Sequence, residues 1–119
     1  MTPSVDAPGL PDAASAVAYL EEISSELRGC AILDRDGEEV LAASGDAQDW
    51  AEAGRGLLTA ADAAGDEPVA YAHVATGDGE AFCVREGDYV AVAVTERFTL
   101  ASLMVFDIRN ALRRLGPAG

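Results

Sequence analysis

The sequence predicts an α+β fold, a five-stranded antiparallel sheet with helices beside it, in the order α-β-β-α-β-β-β-α. Three observations carry this prediction. Apolar residues recur at three- and four-residue intervals in three separate stretches, as they do along one face of a helix. Between those stretches lie short runs rich in β-branched and small apolar residues, the composition of strands. Turns built on aspartate and glycine join several of these runs so closely that the strands they connect run antiparallel.

Residues 1–11 contain Pro3, Pro8, Gly9 and Pro11 without an apolar period and are expected to form a flexible lead-in. From Asp12, a candidate N-cap, the residues Ala13, Ala16, Val17, Leu20, Ile23, Ser24 and Leu27 make a helical stripe that Gly29 is expected to stop. Residues 30–33 form a short apolar run, Asp34-Arg35-Asp36-Gly37 is turn chemistry, and residues 40–44 resume the run, giving a hairpin. Trp50, Ala53, Gly54, Leu57, Leu58, Ala61 and Ala64 then repeat with helical spacing between Asp46 and Gly65, with Asp46 or Asp49 available as the N-cap. Pro68 opens a strand over residues 69–76, in which Val69, Tyr71, His73 and Ala75 alternate with Ala70, Ala72, Val74 and Thr76. Gly77-Asp78-Gly79 leads to a strand at 81–85, and Glu86-Gly87-Asp88 to a central-type strand at 89–95, completing a meander. Thr99 is placed to cap a last helix whose stripe is Ala101, Met104, Val105, Ile108, Leu112 and Leu115, widened by Leu100, Leu103, Phe106 and Ala111. Gly116-Pro117 ends it, so one domain is expected over residues 12–115, with a tail at 116–119.

Composition narrows the function. Eight basic residues against 21 acidic ones give a net charge of -13 and a pI near 4.1, which argues against nucleic acid and against direct binding to an anionic membrane. Every basic residue is arginine, and without lysine there is neither Schiff-base chemistry nor a phosphate-binding P-loop. No stretch approaches the roughly 20 apolar residues of a membrane span, and residues 1–10 lack the pattern of a signal peptide, so a cytoplasmic location is expected.

No catalytic, cofactor or metal site is expected. Asp34-Arg35-Asp36-Gly37 puts glycine fourth where a calcium loop needs it sixth, and Gly77-Asp78-Gly79 lacks the helix that a dinucleotide fingerprint opens. The single histidine, His73, has no cysteine or serine constellation around it in sequence and reads as an interface or surface hydrogen-bonding residue. The scattered carboxylates read as solvated surface. Cys30 and Cys83 lie in apolar runs and read as buried reduced thiols, with a disulfide or redox pair as the alternative.

The element order, together with Leu20-Glu21-Glu22-Ile23 in the first helix, Ile32-Leu33-Asp34-Arg35-Asp36-Gly37 in the hairpin and Phe106-Asp107-Ile108-Arg109-Asn110-Ala111-Leu112 in the last helix, resembles the roadblock/LC7 family. The similarity is strongest to stand-alone bacterial and archaeal members that regulate Ras-like GTPases. The resemblance implies a roadblock/profilin-like layered fold. It also implies a homodimer in which second helices pack antiparallel and third strands pair across the two-fold axis.

On that basis the interface is expected at Trp50, Ala53, Gly54, Leu57, Leu58 and Ala61 of the second helix and at Tyr71 and His73 of the third strand. Glycines inside a helix cost about 1 kcal/mol each relative to alanine, so Gly54 and Gly56 suggest close approach of another backbone. The alternative is that this helix lies on its own sheet, or breaks near Gly54. The weakly charged strand at 69–76 would be an unprotected edge if it were last in the sheet.

A partner surface is expected at Gln48, Asp49, Glu52 and Arg55 on the outer face of the helix. Arg55 and Arg97 are the candidates for an arginine finger, and both read as surface ion-pair residues. Arg109, Arg113 and Arg114 sit where they oppose the negative end of the last helix. The expected function is a non-catalytic homodimeric interaction module that binds and regulates a small Ras-like GTPase. The alternatives are a profilin-like or PAS-like sensory domain with a small ligand between sheet and helix, and a scaffold without a GTPase partner.

Overall fold

In the computed structural model, which describes residues 9–44, 47–75, 77–97 and 99–116 and, at 47–50, the backbone alone, five strands pair antiparallel. They are β1 (Leu27–Asp34), β2 (Val40–Ala43), β3 (Tyr71–Ala75), β4 (Glu80–Glu86) and β5 (Tyr89–Thr95), in spatial order β2-β1-β5-β4-β3. Helices α1 (Ala13–Ile23) and α3 (Ala101–Leu115) cover one face, and α2 (Ala47–Ala63) covers the other. The α+β class and the order of elements are those the sequence predicts.

Two cores follow from the period of two along buried strands. Cys30, Ile32, Phe82, Val84, Ala91 and Ala93 pack under α1 and α3 with Leu20, Ile108 and Leu112. Ala31, Leu33, Cys83, Val90 and Val92 pack under α2 with Ala51 and Leu58. A strand buried on both faces reads as a continuous apolar run, which is why residues 89–95 show no alternation.

The alternation also settles the cysteines. Cys30 and Cys83 face opposite cores and stand on β1 and β4 with β5 between them. Strands two apart are separated by about 10 Å, beyond the roughly 7 Å between Cα atoms that a disulfide spans. Both are free and buried, and burial pushes the Cys30 thiol up to about 12 and the Cys83 thiol up to about 11. The disulfide or redox pair is thereby ruled out, and the thiols act as small apolar residues.

Several boundaries differ from those expected. α1 ends at Ile23; Ser24 is its C-cap, and Leu27, counted on the helical stripe, is the first residue of β1. Gly29 pairs with Val94 inside the strand and stops nothing. The long ladder between β1 and β5, with the Glu96 N–H donating to the Glu26 carbonyl, outweighs the weak helix preference of Ser24-Ser25. Asp12 caps α1 as expected, accepting the Ser15 N–H at 2.9 Å, and this holds its carboxyl below the usual range.

Leu10 donates to the Arg114 carbonyl at 2.9 Å and packs on the core. Residues 1–8, Gly45, Asp46, Thr76, Phe98 and residues 117–119 lie outside the description. The N-cap choice for α2 therefore cannot fall on Asp49, which is inside the helix, while Asp46 is one of the residues not described. Thr99 does not cap α3. The N-cap is Leu100, without a side-chain bond, because the Thr99 hydroxyl donates to the Glu96 carbonyl and its N–H to Glu80 Oε2.

In the first hairpin Gly37 has a φ of 71° and donates to the Asp34 carbonyl at 2.9 Å, a left-handed position that explains glycine there. Asp34 Oδ1 accepts the Glu38 N–H at 2.9 Å, so this carboxylate is a turn residue and not a ligand. β3 starts at Tyr71, two residues later than expected, because Val69 donates to Asp62 of α2 and leaves the strand direction. No helix among the described residues is long and apolar enough to cross a membrane.

Candidate functional site

α2 has a sheet-facing side and a free side, and its small residues are divided between them. Ala51, Gly54 and Leu58, spaced by three and four, face the sheet and are buried. A Cβ on Gly54 would lie 2.6 Å from Val92 Cγ2 and 3.0 Å from Cys83 Sγ. Gly54 therefore lets α2 settle on its own sheet, and the helix runs through it without a break. For Gly54 and Leu58, the intrachain alternative describes their surroundings. Gly56 is different: it is exposed, and a Cβ there would meet nothing within 4 Å.

Between the flank of α2 and the β3 side of the sheet runs an open apolar groove of about 260 Å³. Ala53, Gly54 and Leu57 form its helix side, and Val74, Ala81, Cys83, Val92 and Val94 form its floor. Ala53 is exposed and Leu57 half-buried, so the groove lies open on that side. β3, beside it, is an edge strand that pairs with β4 on one side and with no strand among the described residues on the other.

The register of β3 on β4 sorts its side chains. Ala72 and Val74 lie opposite Cys83 and Ala81 on the α2 face, whereas Tyr71 and His73 lie opposite Val84 and Phe82 on the α1–α3 face. The residues expected to form one interface thus fall on both sides of the sheet edge. Ala53, Leu57 and the half-buried Ala61 flank the groove side, Tyr71 is 49% exposed on the other, and the side chain of Trp50 lies outside the described residues. Val74, 38% exposed, belongs to the groove and was not singled out from sequence. Its signal was membership of the set that alternates with Tyr71 and His73.

His73 is engaged inside the chain. Its ring stacks on Phe82 with centroids 4.4 Å apart and planes within 4°, and Nε2 lies 2.6 Å from Glu80 Oε1. The Glu80 carboxylate, 8% exposed, also accepts the Thr99 N–H at 3.1 Å through Oε2. This network ties the sheet edge to the chain entering α3.

On the outer face of α2, Glu52 is exposed, and the side chains of Gln48 and Asp49 lie outside the described residues. Arg55 is half-buried and donates to the carbonyls of Gly37 at 2.8 Å and Glu38 at 3.3 Å. It anchors the helix to the β1–β2 turn, a role that occupies the guanidinium a finger would extend. The C-terminal end of α2 is held by Asp62, which meets Arg85 of β4 through two contacts of 2.9 and 2.8 Å and accepts the Val69 N–H. The Arg85 guanidinium and the Val69 amide hold the Asp62 carboxyl down at about 2. Arg109 and Arg113 meet Glu86, and Arg114 lies over the Tyr19 ring, 4.5 Å from its centroid. Among the described residues no three histidine, cysteine, aspartate or glutamate side chains converge as metal ligands.

The arrangement is similar to that of solved roadblock/LC7 domains. A roadblock/LC7 domain from Streptomyces avermitilis superposes with a TM-score of 0.75 at 17% identity, over 86% of this chain and 92% of that one. The gliding protein MglB from Thermus thermophilus gives 0.68 at 21% identity, over 97% and 95% of the two chains. An MglB with a tetrameric arrangement gives 0.63 at 20%, over 97% and 94%. No protein-family model and no curated protein matches the sequence. The likeness is one of fold, and the chain has the roadblock/LC7 fold.

Proposed function

We propose that this chain is a non-catalytic homodimeric interaction module that binds and regulates a small Ras-like GTPase. The observation that carries the reading is the apolar groove of α2 lying beside the unpaired edge of β3. An edge strand with few charges and an apolar flank is a surface that a second copy completes, by strand pairing and by burial together. Exposed Gly56 is in keeping with this, since nothing among the described residues occupies the space a side chain would need there. The similarity to an MglB with a tetrameric arrangement supports self-association. The roadblock/LC7 resemblance supports a GTPase as the partner, and we assign its contact surface to the outer side of α2 at Gln48, Asp49, Glu52 and Arg55, with Arg55 also anchoring the helix to the first hairpin.

Light scattering after size exclusion tests the assembly. The expected mass is near twice 12.3 kDa, and Leu57→Asp with Val74→Asp is expected to return it to one chain. A monomer at all concentrations would overturn the reading. The partner is tested by binding to a Ras-like GTPase from the same source, loaded with GTP or GDP: Glu52→Arg is expected to weaken it, and equal binding would remove the partner from this face.

A second reading is favoured by the groove itself, whose roughly 260 Å³ would accept a small apolar ligand in a monomer. It predicts a single chain carrying extra mass in native mass spectrometry.

A further inference from the structure

We propose that the outward side of the α1–α3 layer is a docking site for a basic amphipathic helix of a partner protein. At the start of α3 and along its outer side, Leu100, Leu103 and Phe106 are 64%, 53% and 64% exposed. Ile23, at the end of α1, is 43% exposed and shares a shallow cleft of about 60 Å³ with Leu100 and Leu103. Scattered apolar residues are normal on a surface, but large ones gathered on one face mark an interaction site. The face lies on the opposite side of the sheet from α2, so it is separate from the groove and the proposed GTPase surface.

Charge identifies the occupant. The cleft is lined by Glu26 and Asp107; the Glu26 carboxylate accepts the Ser25 hydroxyl at 2.8 Å, and among the described residues neither carboxylate has an arginine within ion-pair distance. Burial without a compensating cation raises the Asp107 carboxyl above its usual range. The chain as a whole carries -13. A second copy would bring the same carboxylates face to face, and an anionic membrane would be repelled. A segment with an apolar stripe and flanking lysines or arginines satisfies both features. Three side chains at three-residue spacing extend about 9 Å along α3, a length that two turns of a docked helix cover.

The test uses the full chain and two labelled synthetic peptides of about 18 residues, with leucine at i, i+3, i+4 and i+7 and either lysine or glutamate elsewhere. Fluorescence anisotropy is expected to show binding of the lysine peptide, at least about tenfold tighter than the glutamate peptide. Leu103→Ser with Phe106→Ser is expected to weaken it by about tenfold or more. Glu26→Gln with Asp107→Asn is expected to weaken it several-fold and to flatten its dependence on salt. Leu41→Ser, at an exposed apolar site on β2, serves as the control and is expected to change nothing. These are surface changes, and circular dichroism confirms that each variant is folded. Unchanged binding to the Leu103/Phe106 variant would mean adsorption to acidic surface in general and would overturn the proposal. Equal binding of the two peptides would overturn the role of charge and with it the identity of the partner.

Discussion

Gly54 and Gly56 look alike in the sequence and differ in everything that surrounds them. The space at Gly54 is filled by Val92 and Cys83 of the same chain, whereas the space at Gly56 is empty. Gly54→Ala is therefore expected to destabilise the fold by about 1–3 kcal/mol, the usual cost of overpacking a core. Gly56→Ala is expected to stabilise the isolated chain by up to about 1 kcal/mol through helix preference alone. Urea unfolding at low protein concentration measures both, and a reversed order would show that α2 does not sit on the sheet as described. The same Gly56→Ala change is expected to weaken self-association, because a second α2 would lose its close approach. A gain in stability on one assay and a loss of dimer on the other would separate the two roles of small residues in this helix.

At the scale of elements, α2 is fixed at its middle, by Arg55 on the first hairpin, and at its C-terminal end, by Asp62 on Arg85 and Val69. Asp62 titrates at about 2 in the fold, below the ordinary carboxylate range near 4, so folding favours its charged form. The stability it supplies is complete above the unfolded value and is lost as pH falls from about 4 through about 2. Asp62→Asn is expected to lower the melting temperature at pH 7, with the gap from wild type closing below about pH 3. A gap that persisted unchanged at pH 2 would show that the ion pair does not hold the helix.

That contact, like the one between His73 and Glu80, joins residues with no local pattern to connect them, and neither was legible in sequence. What was legible had a period: three helices, five strands and the aspartate-glycine turns. The junction of α1 and β1 was not, because Ser24 and Leu27 continue the helical spacing and only pairing with β5 overrules it. The division of the interface residues was hidden for the same reason. Tyr71, His73 and Val74 take their faces from the register on β4, which alternation along one strand does not supply.

For the molecule as a whole, a charge of -13 on each copy opposes association of two copies. Added salt shortens the reach of that repulsion, from about 10 Å at 0.1 M to about 3 Å at 1 M, while leaving apolar burial intact. The mass by light scattering is thus expected to move toward the dimer as sodium chloride rises. A mass that fell with salt would point to an interface held by ion pairs and not by the groove. Binding of the lysine peptide responds in the opposite direction, so one salt series distinguishes the two surfaces.

The strand order carries a further consequence, for the time course of folding. β1 with β2, and β3 with β4 and β5, are each closed by short connections, so both halves can zip locally. The seam between them joins the two halves of the chain, and Asp34 meets Tyr89 only after α2, β3 and β4 have been looped out between them. Closing that loop costs entropy before the β1–β5 ladder returns any of it. The pace of folding is therefore expected to be set at the centre of the molecule, where β1 and β5 meet, with α2 packing across that seam.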